Sequence, residues 1–120
     1  MNKWVLLEHK VHSANSLDVH YDFLIENGID CLTWKFLKLP LLNQVSVEIF
    51  KQPNHRLVWL SRKEHELSGN RGFVKRIDYG IFKNVSDKRD SEYCRFILDG
   101  ELLSGLFEIS GNSCRLSKNY

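Results

Sequence analysis

The sequence predicts an all-β protein, namely a small closed or nearly closed antiparallel β-barrel with little helix. Short runs rich in β-branched and aromatic residues are separated by turn residues along the whole chain. Asn-Gly, Asp-Gly and Gly-Asn dipeptides lie between several of these runs, and helical periodicity is nearly absent. Closure is expected because it removes strand edges that would otherwise pair with other chains. A β-sandwich is the alternative architecture.

The individual elements follow from side-chain alternation and from the turn residues. The hairpin signals are, in chain order, Asn27-Gly28, Asp99-Gly100 and Gly111-Asn112. The first is the strongest, because both central positions of an Asn-Gly turn accept positive φ. Loops are predicted at residues 10–17, 62–71 and 84–91. Strands are predicted at residues 4–9, 19–25, 31–37, 45–50, 56–60, 73–78, 81–82, 96–98, 101–103, 106–109 and 114–116.

Length and composition indicate a single domain over residues 1–120, with a core that needs neither disulfides nor a structural metal. Seventeen Lys and Arg against fifteen Asp and Glu give a net charge of +2, so no strong basic field indicates nucleic acid. Cys31, Cys94 and Cys114 share no CxxC spacing, which favours buried thiols in a reducing, cytoplasmic compartment. The apolar runs are too short to span a bilayer, and neither a signal peptide nor a membrane partner is expected.

A histidine and an aspartate are predicted to share one face of the second strand. Alternation places His20 and Asp22 on the face opposite to the core residues Val19, Tyr21, Phe23 and Ile25. Side chains two residues apart on a strand are roughly 7 Å apart at the backbone, near enough for both to bind one metal ion. His9 and His12 are competing candidates for a third ligand. Two imidazoles and one carboxylate suit manganese or zinc, whereas a hydrogen-bonded His–Asp pair without a metal is the alternative.

Six segments of the chain carry a resemblance to a known family. The most specific is Val-His-Tyr-Asp-Phe at 19–23, and the complete set is 4–9, 19–23, 33–35, 54–57, 72–82 and 98–105. In this order they resemble the 3′-phosphoesterase domain attached to bacterial DNA ligase D, of which this chain would be a stand-alone, divergent member. The resemblance implies a small β-barrel with a metal-dependent site that removes a 3′-terminal phosphate or ribonucleotide from DNA ends during break repair.

The resemblance also implies the identity of the metal ligands. His20 and Asp22 match the two ligands of the family's His-x-Asp motif, and His9 matches its upstream histidine. The spacing between the two histidines is longer here than in the family, so an insertion in the loop would keep His9 and a shift of the strand would select His12. The run Val-Leu-Leu-Glu-His aligns without a gap and favours His9. Manganese is the expected ion, with zinc as the alternative.

Two further positions match family residues and two depart from them. His55 matches the histidine that contacts the phosphate, where it would donate a hydrogen bond or protonate the leaving oxygen. Lys38 falls where the family carries a lysine. Leu24 replaces an arginine that reaches the phosphate, and Trp59 replaces a tyrosine and offers only an indole N–H.

The missing arginine requires another cation, because a phosphate in a partly dry site needs positive partners. Arg71 is the predicted substitute, since the glycines near it let the backbone approach an anion and its guanidinium binds two oxygens. Arg56 is the second choice. Arg71 and Lys38 would then hold the phosphate and the strand backbone.

The predicted function is therefore that of a metal-dependent phosphoesterase acting on 3′ ends of DNA in repair. Its partners would be DNA 3′ ends or a primer–template, with a DNA ligase or polymerase acting in trans. The loss of the arginine and the tyrosine supports a second hypothesis, in which a catalytically weak barrel binds DNA ends or a repair partner. A barrel for a small ligand unrelated to nucleic acid ranks last, because it gives the histidines and the aspartate no role.

Overall fold

Antiparallel strands make up most of the protein. The computed structural model describes residues 2–42, 46–67, 71–86 and 92–118. The only helical segment in these ranges is a 3₁₀ turn, Leu57–Leu60, and none of their helices is long and apolar enough to cross a membrane. The strands are β1 (Lys3–Ser13), β2 (Ser16–Asn27), β3 (Asp30–Phe36), β4 (Val47–Arg56), β5 (Glu64–Leu67), β6 (Gly72–Asn84), β7 (Tyr93–Asp99), β8 (Ser104–Ser110) and β9 (Ser113–Ser117).

Hydrogen bonds connect the strands in a near-complete ring. The neighbours follow the order β1-β2-β3-β4-β9-β8-β7-β6-β5, and β1 also pairs with β6. The β4–β9 seam is short, with Val47 opposite Cys114 and Glu48 opposite Ser113. β6 joins the two halves, because it pairs with β1 and β5 through its first part and with β7 through residues 82–84. The predicted all-β class, with a closed or nearly closed antiparallel sheet and little helix, is confirmed.

The main core fills the inside of this ring with aromatic side chains. Phe23 of β2 lies 4.9 Å from Phe107 of β8, measured between ring centroids, so the core joins strands from the two halves of the sheet. Full burial of one such side chain stabilises the fold by about 1.5–3 kcal/mol. All three cysteines are buried, as predicted. The other large residues of this core include Trp4, Leu6, Ile25, Trp34, Phe36, Ile49, Phe96, Leu103 and Ile109.

A second, smaller cluster lies on the outer face of β1, β2, β3 and β6. Its buried members are Val5, Leu7, Leu24, Cys31 and Val74. Trp59 and Leu60 of the 3₁₀ turn and Leu67 of β5 pack against it, because the chain crosses over this face after β4 before it pairs with β6. Of residues 56–60, predicted as a strand, Arg56 ends β4 and the rest form the 3₁₀ turn, whose Trp59 and Leu60 cover this cluster. We call this covered patch the outer cluster.

The first two hairpins differ from their predictions in register and length. The predicted loop 10–17 is wrong, because β1 and β2 continue to Ser13 and Ser16 and leave a tight turn with Ala14 at a φ of 46°. The second turn consists of Gly28 and Ile29 rather than Asn27 and Gly28, since Asn27 pairs with Asp30. Gly28 has a φ of 76° at the first central position, which is the requirement of a type II′ turn.

In the second half of the chain, the strands differ from the predicted ones where the sequence has no clear alternation of apolar and polar residues. Residues 73–78 and 81–82 belong to one strand, β6, and β5 lies inside the predicted loop 62–71. The predicted strand 101–103 is part of the loop that connects Asp99, the last residue of β7, to Ser104, the first residue of β8. The Gly111-Asn112 turn is confirmed by the pairing of Ser110 with Ser113. Residues 43–45, 68–70 and 87–91, where parts of a predicted strand and of two loops fall, lie outside the described residues.

Candidate metal centre

The β1–β2 hairpin brings His9, His20 and Asp22 to one place on the outer face. His9 lies directly opposite His20, and Asp22 lies opposite Leu7, whose side chain belongs to the outer cluster. Because the pairing has no bulge between Trp4 and Ser13, the side chains of one face stay together along the hairpin. His12 is three residues from His9 on the same strand and therefore points to the other face. The structure therefore places His9, which the resemblance favours, beside His20 and Asp22, and it places His12 on the opposite face.

The ligand atoms of the three residues face one another. Nδ1 of His9 is 3.2 Å from Nε2 of His20, and the latter is 3.5 Å from Oδ2 of Asp22. One donor atom from each of the three side chains lies within 4.8 Å of the other two. Two ligands of one zinc ion are about 3.4 Å apart in a tetrahedral arrangement and somewhat closer in an octahedral one. The observed spacing therefore fits a shared divalent ion, with two imidazole nitrogens and one carboxylate oxygen as ligands.

The backbone before β6 sets the orientation of the His9 ring. Nε2 of His9 is 2.8 Å from the carbonyl oxygen of Arg71. A carbonyl oxygen only accepts, so Nε2 donates its hydrogen and the neutral ring keeps a lone pair on Nδ1, which is the atom that faces His20 and Asp22. A metal-binding histidine commonly donates its other N–H to a backbone carbonyl in this way. Gly72 makes this contact possible, because a Cβ there would lie 2.3 Å from the carbonyl oxygen of Lys10 and 3.1 Å from Nε2 of His9.

The centre is partly open to solvent. The His20 side chain is 21% exposed and that of Asp22 is 13% exposed. Three protein ligands on an accessible face leave coordination positions for water or substrate, as in catalytic rather than closed structural sites. Within the described ranges, this is the one group of at least three His, Cys, Asp or Glu residues that could hold a metal ion.

A lysine that the sequence analysis did not select lies beside the centre. Lys35 of β3 is the cross-strand partner of Asp22 and therefore shares its face of the sheet. It is half-buried, and among the described residues its ammonium has neither an ion pair nor a hydrogen bond. Finding Lys35 from the sequence would have required the correct turn register. The predicted turn at Asn27-Gly28 would pair Asp22 with Thr33 instead of Lys35.

The other predicted phosphate-binding residues lie apart from the ligands. His55 of β4 is opposite Cys31, which is opposite Glu26, four residues along β2 from Asp22. Two strand spacings and four residues place the Cα atoms of His55 and Asp22 roughly 16 Å apart. Nδ1 of His55 is 3.1 Å from the carbonyl oxygen of Pro53. The structure does not bring His55 into the metal centre.

The predicted cations differ in their positions. Arg71 lies next to the centre through the backbone contact with His9, and its residue is exposed. Lys38 is exposed beyond the end of β3. Arg56 is also exposed and lies opposite Asp30, at the far end of the β2–β3 hairpin from the centre. Of the three, only Arg71 is placed against a ligand residue.

The outer cluster accounts for Leu24 and Trp59, which stand where the resemblance implies an arginine and a tyrosine. Leu24 is fully buried in that cluster, where a charged side chain would lose its hydration without a partner. Trp59 packs on the same cluster, and its ring meets that of His65 edge-on at 5.6 Å between centroids. Arg62 lies 4.9 Å from the centroid of the Trp59 ring. Leu24 and Trp59 therefore serve the packing of the outer cluster and of its cover, respectively.

Comparison of the chain with protein-family models and with curated proteins finds no match.

Proposed function

We propose that this protein is a divalent-metal-dependent phosphoesterase that removes a phosphate or a ribonucleotide from 3′ ends of DNA. The observation that supports it most is the convergence of His9, His20 and Asp22, with the tautomer of His9 set by the Arg71 carbonyl. In this proposal the substrate is a DNA 3′ end or a primer–template. A DNA ligase or polymerase acts in trans in the cytoplasm, and manganese is the expected ion, with zinc as the alternative.

The residues around the centre have two separate roles: some bind the metal ion, and others bind the phosphate. A divalent ion bound there supplies charge neutralisation at the phosphate. Lys35 contributes a cation on the same face as Asp22, and Arg71, whose backbone carbonyl contacts His9, contributes a second one. Charge-assisted contacts of this kind are worth about 1.5–3 kcal/mol each. Lys35 thus takes the place of the arginine that is absent at position 24.

His55 has no part in the proposed chemistry, because its position is roughly 16 Å from Asp22 by strand spacing. The partial exposure of His20 and Asp22 lets solvent water reach the centre. One water attacks the phosphorus as the P–O bond to the leaving oxygen breaks, and solvent water supplies the proton to that oxygen. Lys38 is likewise left without a role at the phosphate.

A second candidate function is a catalytically weak protein that binds DNA ends or a repair partner. It is favoured by the full burial of Leu24 and by the packing of Trp59 on the outer cluster, which remove two groups that contact the substrate in the family. In this case the three ligand residues would hold a metal without turnover.

The experiment is a metal-dependent assay on a primer–template that carries a 3′-phosphate or a 3′-ribonucleotide. We expect the wild-type protein to release the terminal group in the presence of Mn²⁺, and His20→Ala and Asp22→Ala to abolish the release. His12→Ala is the matched control, because His12 lies on the same hairpin and faces the other side. DNA binding without release of either group would transfer the support to the second candidate function.

A further inference from the structure

A basic cavity lies on the outer surface near the start of β1. Its volume is about 370 Å³, and its lining includes the cations Lys3, Lys63 and Arg76 together with Tyr79. Among the described residues, no Asp or Glu lines it. The formal charge of the cavity is therefore +3, although that of the whole chain is only +2. We call it the basic cavity.

The side chains of the basic cavity are available to a ligand. Within the described ranges, neither the Lys3 nor the Lys63 ammonium has an ion-pair partner. Tyr79 is 59% exposed, and the guanidinium of Arg76 lies 4.1 Å from its ring centroid. An exposed aromatic ring beside several cations is the combination with which proteins bind single-stranded nucleic acid, because bases stack on the ring and phosphates meet the cations.

The register of the sheet connects the basic cavity to the metal centre. Arg76 of β6 is opposite Leu7 of β1, and Leu7 is opposite Asp22 of β2. Two strand spacings separate the Cα atoms of Arg76 and Asp22 by roughly 10 Å. Arg76 itself lines the basic cavity, so a chain of phosphates that ends at the metal centre would pass over the buried Leu7 and enter the cavity at Arg76.

The larger depression next to the basic cavity has a different character. It measures about 710 Å³ and shares Lys63, Arg76 and Tyr79, but it also contains four acidic residues. The carboxylate of Asp78 accepts hydrogen bonds from four backbone N–H groups, among them those of residues 101–103, and Asp99 accepts one from Ile81. These two acids hold the loop after β7, so we assign the ligand to the basic cavity alone.

We propose that the basic cavity binds the single-stranded segment of DNA that leads to the 3′ end at the metal centre. The shared chemistry is a phosphate next to an aromatic base, which a free nucleotide also offers. The direction of the strand rests on the proposed function, whereas the binding itself does not. Lys63 and Arg76 hold phosphates, and Tyr79 stacks on a base.

The test is the binding of a fluorescein-labelled dT12 oligonucleotide, followed by anisotropy in EDTA at several salt concentrations. We expect Lys63→Ala/Arg76→Ala to weaken binding at least roughly tenfold and to reduce the salt slope by about 0.7 for each lost phosphate contact. Tyr79→Ala is expected to weaken binding roughly tenfold, and Tyr79→Phe to retain it. Lys83→Ala removes one exposed charge of β6 outside the cavity and is the matched control.

The outcomes separate the two proposals. Equal binding by Lys63→Ala/Arg76→Ala and Lys83→Ala would overturn the assignment, as would the absence of dT12 binding to the wild-type protein. Displacement of dT12 by equimolar thymidine monophosphate would contradict the proposal, because it would show that the ligand is a free nucleotide and not a DNA strand. If the double variant does not fold, Lys63→Gln alone, at an exposed position, provides the comparison. Cavity-dependent binding without metal-dependent turnover would support this inference and contradict the proposed phosphoesterase activity.

Discussion

Replacing Gly72 with alanine tests how the start of β6 holds His9 in place. The φ of Gly72 is 105°, a conformation that L residues rarely adopt. An added Cβ would lie 2.3 Å from the carbonyl oxygen of Lys10, 2.9 Å from Cγ2 of Val11 and 3.1 Å from Nε2 of His9. The first of these atoms belongs to the backbone of β1, so a side-chain rotation cannot relieve the contact.

The expected loss of stability has two parts. A non-glycine residue at such a φ costs about 1–3 kcal/mol, and overpacking costs about 1–3 kcal/mol more. Together we expect about 4 kcal/mol of lost unfolding free energy, a large part of the total for a domain of this size. Since Nε2 of His9 is one of the atoms displaced, the metal affinity should also fall by about 10–100-fold, as it does when the orienting contact of a ligand is lost.

Urea unfolding of Gly72→Ala and of a matched variant, Gly111→Ala, measures the steric part separately. Gly111 also has a positive φ, 58°, but an added Cβ there would meet nothing within 4 Å. Gly111→Ala should therefore cost only about 1–2 kcal/mol, from the backbone conformation alone. Equal losses in the two variants would refute the close approach of β6 to His9.

Three further predictions concern the phosphate, the outer cluster and the thiols. Lys35→Ala should lower kcat/KM for 3′-phosphate release at least about tenfold, whereas Lys38→Ala should change it less than about twofold. Leu24→Arg, which introduces the arginine that the resemblance implies at this position, should lower the unfolding free energy in urea by about 3–5 kcal/mol without raising activity, because the residue is fully buried. An increase in activity at unchanged stability would contradict that burial. Burial raises the pKa of Cys31 to about 11 and that of Cys114 to about 12, from an ordinary pKa of 9.0. A raised thiol pKa contributes stability that is complete below pH 9 and is lost as the pH rises through the folded values. Unfolding free energy should therefore fall as the pH rises from about 9 towards 11, and less steeply in Cys31→Ala/Cys114→Ala. Equal slopes in the wild type and in the double variant would show that these thiols do not cause the pH dependence.

The alternation of apolar and polar residues predicted which side chains of β2 face the main core. Phe23 and Ile25 face the main core, as predicted for β2, because burial of one face leaves a period of two in the sequence. The same signal is absent beyond His9, where the β1–β2 hairpin extends away from the core with mostly exposed residues. Residues 10–17 were therefore predicted as a loop, although they are largely paired strand.

The convergence of His9, His20 and Asp22 on one face was predictable, but their neighbours depend on details of register that composition does not encode. A shift of the turn by one residue, from Asn27-Gly28 to Gly28-Ile29, replaces Thr33 with Lys35 opposite Asp22. An irregularity in the β3–β4 pairing between Cys31 and Thr33 likewise sets the position of His55. A bulge of this kind has no reliable sequence signal.

The apolar run at 57–60 shows a third limit. Leu-Val-Trp-Leu has neither the period of a strand nor that of a helix, and its residues were predicted as a strand on β propensity. In the structure they form a 3₁₀ turn whose Trp59 and Leu60 cover the outer cluster. The need for this cover comes from Leu24 and its neighbours on distant strands, so only the tertiary structure explains both the 3₁₀ turn and the apolar residue at position 24.

The most direct test of the metal centre is a thermal melt of the wild-type protein and its histidine variants in EDTA and in millimolar Mn²⁺. An ion at 100 times its Kd stabilises the native state by about 2.7 kcal/mol, which corresponds to a rise in Tm of roughly 8–12 °C for a domain of this size. We expect this rise in the wild type and in His12→Ala, and its loss in His9→Ala and His20→Ala. An unchanged Tm in the wild type, or an equal rise in all four proteins, would contradict a metal ion held by this hairpin.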